Sequence, residues 1–172
     1  PLQINLYKAL GWEPPEFAHL SLLVNEQKQK LSKRHGDVSV EDFKEKGYVP
    51  EALVNFIAFL GWNPGDTREI FSLQELEKEF SFEKVGSSSA VFHRDKLDWY
   101  NKQYILAMDP ADLAQRAEPF YQNKGIETGN SKLETVVALE QGRANTLKDI
   151  VEQTGFIFAD ELTYDPELLV WK

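Results

Sequence analysis

No cysteine occurs among the 172 residues. That excludes a disulfide framework, a thiol nucleophile and a cysteine-built zinc site, and it fits a reducing compartment. Histidine is scarce: His19, His35 and His93 are scattered, without paired ligand spacing. No metal site is expected, and His19 and His93 read as isolated surface or packing residues. No apolar run approaches the ~20 residues that cross a bilayer. The opening residues lack a basic stretch followed by an apolar run, so no signal peptide is expected either. Position 1 is Pro rather than Met, and the residues after it already read as folded sequence, which suggests a piece of a longer protein or a removed tag. No acid–base pair or nucleophile constellation stands out.

Positive charge is in deficit, with a formal net charge of −9. That argues against indiscriminate nucleic-acid binding. The charge is unevenly spread. Residues 24–36 hold Lys28, Lys30, Lys33 and Arg34 against Glu26 alone, whereas residues 49–172 hold 12 basic and 21 acidic residues. An acidic body with one local basic loop suits a protein that meets phosphates at selected points, not one that coats a duplex.

The basic stretch is Lys30-Leu31-Ser32-Lys33-Arg34, followed by His35-Gly36-Asp37. Two lysines three apart offer mobile ammonium charges with three donors each, and the serine between them adds a short neutral donor. Gly36 permits a positive φ or close approach to a ligand. Such a loop suits a polyanion.

Around it the pattern is mainly helical. Leu2, Leu6, Ala9 and Leu10 fall at helical intervals before Gly11. Pro14-Pro15 enforces an extended turn. Phe17 to Val24 is the one strand candidate, leading into the basic loop. Ser39 and Asp42 form a capping-box variant for a helix over Val40–Lys46, ended by Gly47. Pro50 suits a first helical position, and the helix after it is apolar nearly all round, which predicts burial. Ser72 with Glu75 and Ser131 with Glu134 are further capping boxes. Gly86-Ser87-Ser88-Ser89 reads as a loop. Helices are expected over Asp95–Leu106, Ala111–Tyr121 with Asp109 as N-cap, and Thr146–Thr154. Trp62, Trp99, Tyr100 and Tyr104 fall on apolar faces or beside turn glycines, so they read as core rather than as a platform for stacked bases.

Phe17-Ala18-His19-Leu20, Lys30–Asp37, Tyr48-Val49-Pro50-Glu51-Ala52-Leu53, Leu60-Gly61-Trp62 and Lys96-Leu97-Asp98-Trp99, in this order, resemble bacterial-type glutamyl-tRNA synthetases. The Lys30–Asp37 block is similar to the second signature loop of class I aminoacyl-tRNA synthetases. The resemblance runs over nearly the whole chain. It implies a parent enzyme that joins glutamate to its tRNA, consuming ATP with Mg2+, in the cytoplasm, as a monomer and without a membrane. It implies Lys33 at the ATP phosphates, with Lys30 and Ser32 completing the clamp that acts on charge developing at the leaving group. It implies tRNA contacts from Arg143, at the start of a helix that reads an anticodon base, and from Arg94 and Lys148, for which ordinary surface roles compete.

The implied organisation is the end of a catalytic domain over 1–38, a helical stem-contact segment over 39–90, and part of an all-α anticodon-binding bundle over 91–172. The chain lacks the His-x-Gly-His block and the strands of a nucleotide fold. It is therefore expected to be an internal or C-terminal fragment, inactive alone, with no tightly bound cofactor. Two alternatives stay open: a stand-alone helical RNA- or protein-interaction module, and a fragment of the related glutaminyl-tRNA synthetases, a family whose anticodon region is built from β-barrels.

Overall fold

The computed structural model describes residues 2–31 and 39–159, without the side chains of 130 and 131. Ser32, Lys33, Arg34, His35, Gly36 and Asp37 lie outside the described residues. What is described is mainly α-helical, as the sequence pattern predicts.

Helix α1 (Leu2–Leu10) ends at Gly11, whose φ of +69° is the left-handed stop that glycine adopts without penalty. None of its residues is buried. Strand β1 (Leu23–Val24) is far shorter than the expected Phe17–Val24 run. It pairs in parallel only with β2 (Ala90–Val91), Leu23 opposite Ala90 and Val24 opposite Val91. Residues 17–22 have no ladder to join, so their β propensity goes unused.

Helix α2 (Val40–Glu45) carries the expected capping box: Ser39 Oγ accepts from Asp42 N, and Asp42 accepts from Ser39 N. Such a cap contributes about 1 kcal/mol. Helix α3 (Pro50–Phe59) has proline at its first position, where the missing N–H costs nothing. Its expected burial on every side is not found. Ala52, Leu53, Asn55 and Phe56 are buried, but Val54 and Ile57 are 44% and 49% exposed. Helix α3 packs chiefly against α5 and α4, and Val54 and Ile57 fall outside those contacts enough to stay exposed.

Helix α4 (Leu73–Glu79) is opened by the Ser72–Glu75 box. Helix α5 (Arg94–Ala107) and α6 (Pro110–Asn123, with Asp109 accepting from Ala111 N) follow as expected. Helix α7 (Asn130–Glu140) begins earlier than the proposed Ser131 box, on Gly129 as N-cap. The extra turn residue places Ser131 inside the helix, where it cannot cap. Helix α8 (Leu147–Thr154) is opened instead by a Thr146–Asp149 box. The continuous helices beyond residue 93 set aside the β-barrel alternative.

One core runs through most of these elements. It joins Phe43, Val49, Leu53 and Phe56 to Leu97 and Tyr100 of α5, and onward to Leu113, Tyr121, Val137 and Ile150. A smaller cluster of Trp62, Phe71 and Leu76 sits beside it. Asn55 fastens that cluster: its Oδ1 accepts from Phe71 N at 2.8 Å and lies 2.8 Å from the Tyr104 hydroxyl, which is also 2.6 Å from Phe71 O. Trp62 and Tyr100 are core residues as the pattern implied, whereas Trp99 stays 37% exposed, because Lys96 lies 4.3 Å over its ring on the outer side of α5.

Leu97→Ala should destabilise the fold by about 2–5 kcal/mol, since Leu97 is fully buried at the centre of this core. Urea unfolding measures it, with the exposed Val40→Ala expected within about 0.5 kcal/mol of wild type.

Candidate nucleic-acid interface

The basic stretch leaves the fold from a tight hairpin. Asn25 N donates to Gln29 O at 2.8 Å, Lys28 N to Asn25 O at 2.9 Å, and Gln29 N to the Asn25 side chain at 2.8 Å. Lys28 holds φ at +60°, a left-handed backbone that a side chain adopts at a cost of about 1–2 kcal/mol. The hydrogen bonds around it hold the turn there. Past the turn, Lys30 bridges back to Val24, and Leu31 N donates to Leu23 O at 3.2 Å. On the other side of Val24, Phe92 N donates to its carbonyl at 2.8 Å. Val24 is buried between the two, so the hairpin is rooted in the sheet while Lys28 and Lys30 are exposed. Of the three loop residues singled out in the sequence, Lys30 is described. Ser32 and Lys33 lie outside the described residues.

Arg94 lies close to the same root, two residues after Phe92. Its guanidinium sits 5.1 Å from the Phe43 ring centroid and 5.9 Å from both the Tyr48 and Phe92 centroids. Its Nη1 donates to the Tyr48 hydroxyl at 3.5 Å, and that hydroxyl donates in a short hydrogen bond to Asp98. Half-buried among rings, this cation braces α5 against the end of α2. Burial, then the Asp98 carboxylate that accepts the Tyr48 proton, push the Tyr48 pKa up to about 12, with Arg94 opposing.

Arg143 lies elsewhere, in the turn between α7 and α8. Its side chain is 77% exposed and donates to Glu140 at 3.1 Å. The turn beneath it is held at several points. Gln141 Nε2 donates to Ile105 O and Met108 O, both at 2.8 Å, capping the end of α5. Asn145 O accepts from Asn101 Nδ2 at 2.6 Å. Asn145 N and Thr146 N both donate to Asp149. An exposed arginine on a braced turn is pre-organised for a planar acceptor. Lys148 is exposed in the first turn of α8, beside Gly47. Arg94 thus stands near the root of the Lys30 hairpin and Lys148 near the Arg143 turn, and the two are joined through Gly47, which lies against Lys148, and Tyr48, whose ring lies under Arg94.

Asn101 and Gln141 were missed by the sequence reading. The available signal was an amide on the buried stripe of α5, between Leu97 and Ile105, where periodicity alone predicts an apolar residue.

The profile of tRNA synthetases class I (E and Q), catalytic domain, matches residues 1–99, and that of an anticodon binding domain matches residues 112–172. The chain belongs to the class I tRNA synthetases. Among the relatives of this synthetase chain is a glutamate–tRNA ligase of Clostridioides difficile strain 630, 42% identical over 173 residues, covering 97% of this chain and 35% of the relative. The glutamate–tRNA ligase of Syntrophotalea carbinolica is 45% identical over 166 residues, covering 96% and 35%. A crystal structure of a glutamate tRNA ligase from Elizabethkingia meningosepticum CCUG26117 in complex with its amino acid superposes with a TM-score of 0.77 at 34% identity, over 96% of this chain and 37% of that one. The synthetase chain spans just over a third of the length of these relatives.

Because the folded state holds Tyr48 protonated up to about pH 12, against about 10 for a free phenol, its contribution to stability is complete below pH 10 and is lost as pH rises to 12. Stability of the synthetase chain should fall across that window, and Tyr48→Phe should flatten part of the fall. Denaturant midpoints between pH 10 and 12 measure both.

Proposed function

We propose that this chain is the portion of a glutamate–tRNA ligase that supplies the ATP-phosphate loop and part of the tRNA-contacting surface. The carrying observation is the near full-length similarity to glutamate–tRNA ligases, 42% identical over 97% of the chain, joined to a basic hairpin rooted on the sheet. In the proposed enzyme, ATP activates glutamate and the aminoacyl group passes to its tRNA, in the cytoplasm, with the enzyme monomeric.

In activation, a substrate carboxylate attacks the α-phosphorus and pyrophosphate leaves with the electron pair. Lys30, Ser32 and Lys33 are assigned to the polyphosphate. The two ammonium groups stabilise the charge that builds on the bridging and leaving oxygens. Mg2+ in this scheme enters with the nucleotide's own phosphates as part of the substrate. Glutamate and the adenosine of ATP would be held by the larger catalytic part that the relatives carry beyond this third.

Residues 1–38 are assigned to the end of the catalytic domain, 39–90 to a stem-contact segment and 91–172 to anticodon binding. Arg143 is the assigned base-reading residue. Its exposure and the bracing of its turn support this, since single-stranded bases are read by stacking and by side-chain donors. Lys148, an exposed point charge, and Arg94 are assigned to phosphate.

The isolated chain should show no glutamate-dependent ATP–pyrophosphate exchange, and turnover above background would refute the assignment of adenosine and glutamate sites elsewhere. It should bind tRNA for glutamate weakly, on the order of tenfold more weakly at 200 mM than at 50 mM salt, as expected for a few phosphate contacts. Arg143→Ala should cost about 1–3 kcal/mol of that affinity. Fluorescence anisotropy with labelled tRNA measures both, and salt-independent binding or an unchanged R143A affinity would remove the basis for these assignments.

A further inference from the structure

The two matched family segments leave residues 100–111 between them, and Asn101 stands in that gap. It is fully buried. Its Oδ1 accepts from Val49 N at 2.8 Å, and its Nδ2 donates to Asn145 O at 2.6 Å. One amide thus satisfies a backbone donor of the first segment and a backbone acceptor of the second. Next to Val49, Gly47 O accepts from Leu147 N at 3.0 Å. Gly47 has φ +83°, and a Cβ there would lie 2.6 Å from Lys148 N and 2.9 Å from Leu147 N. The turn after α2 and the start of α8 therefore touch backbone to backbone, with no room for a side chain. At the periphery, Arg116 of α6 donates to both carboxylate oxygens of Glu51 in α3 at 3.0 Å, and the apolar core is continuous across the same boundary.

We propose that Asn101, with the Gly47–Leu147 crossing, is a positioning device that locks the catalytic-side segment and the Arg143 turn into one rigid body, so that a tRNA meets both as a single template of fixed spacing. The reasoning starts from the cost of the alternative. A buried amide hydrogen-bonded on both sides is costly to leave unpaired, so relative motion of the segments is resisted by Asn101 itself. Two sites held at fixed separation gain from each other. Once one is engaged, the second is presented at high effective concentration, and that advantage vanishes if the linkage loosens. Asn101 and Gly47 touch no ligand in this scheme. They act through Arg143 and through the elements that carry the Lys30 hairpin.

The functional half of the inference rests on the reading of the chain as part of a tRNA ligase, while the mechanical half does not. The absence of native cysteine allows both to be tested with Glu45→Cys and Glu152→Cys, exposed positions on α2 and α8, carrying a spin-label pair. Wild type should give one narrow distance distribution. Asn101→Asp keeps the acceptor for Val49 N but faces a carboxylate oxygen toward Asn145 O. Its distribution should be broadened at least about twofold near pH 8, and should narrow again near pH 5, where a buried carboxyl is protonated and its O–H can donate. Tyr48, Asp98 and Asp149 are titratable neighbours, so the Asn101 parent run at both pH values is the control, and it should not change.

In binding assays near pH 8, Asn101→Asp should lose about tenfold for full-length tRNA but stay within about twofold for an isolated anticodon stem-loop, which needs only the Arg143 turn. Equal losses for both RNAs, or a wild-type distribution as broad as that of the variant, would overturn the proposal. If N101D does not fold, Gln141→Ala, which frees the same turn from α5 through a part-exposed side chain, takes its place with the same two readouts. A wild-type chain that binds neither RNA while its own distance distribution is narrow and that of N101D narrows again near pH 5 would refute the tRNA reading and leave the lock standing.

Discussion

The two matched segments of this chain are registered against each other by the short backbone crossing at Gly47 and Leu147 and by the amide of Asn101 that lies beside it. Close backbone contact is possible only because residue 47 has no side chain and accepts a positive φ. The peptide groups exposed by that contact are satisfied from one buried side chain. Helix α5 supplies that side chain and also carries Leu97, Tyr100 and Ile105 into the core. The same element therefore provides both the apolar adhesion and the polar registration of the two matched segments. Apolar burial alone would hold the segments together but leave their register soft. The hydrogen bonds select one arrangement out of those that bury similar area.

Local signals along the chain were strong where the physics is local. Capping boxes at Ser39 and Ser72, Pro50 at a helix start and the Asp109-Pro110 pair were all legible, because each depends on atoms within four residues. The extended Phe17–Val24 reading failed because strand formation needs a partner, and that partner, at residues 90–91, is distant in sequence. The helix expected from Ser131 begins one residue earlier, at Asn130 on Gly129, a one-residue shift that sequence pattern does not resolve. Burial around all of α3 could not be judged from its composition, since which face remains open depends on where α4 and α5 lie.

The candidate site divides in the same way. The Lys30 block was visible as a cluster of charge in an acidic chain, and its resemblance to a signature loop gave it a chemistry. Arg143 was visible only through resemblance, because one arginine between two helices carries no pattern. What the sequence could not show is how the Arg143 turn is held. Gln141, Asn145 and Asp149 look like ordinary polar loop residues, and their significance lies in carbonyls and amides contributed by α5. Arg94 illustrates the converse. Its charge is legible in the sequence, whereas the three aromatic rings around it are a circumstance that no one-dimensional pattern encodes.

The parallel pairing of residues 23–24 with 90–91 has a consequence for how the chain acquires its shape. Helices α6 to α8 can dock through neighbours close in sequence, but β1 has no ladder until a partner some sixty-odd residues downstream has been synthesised and placed. Loop closure over such a span is slow compared with helix–helix docking. The cationic turn thus gains the sheet beneath it only once residues 90–91, at the entry to α5, are in place.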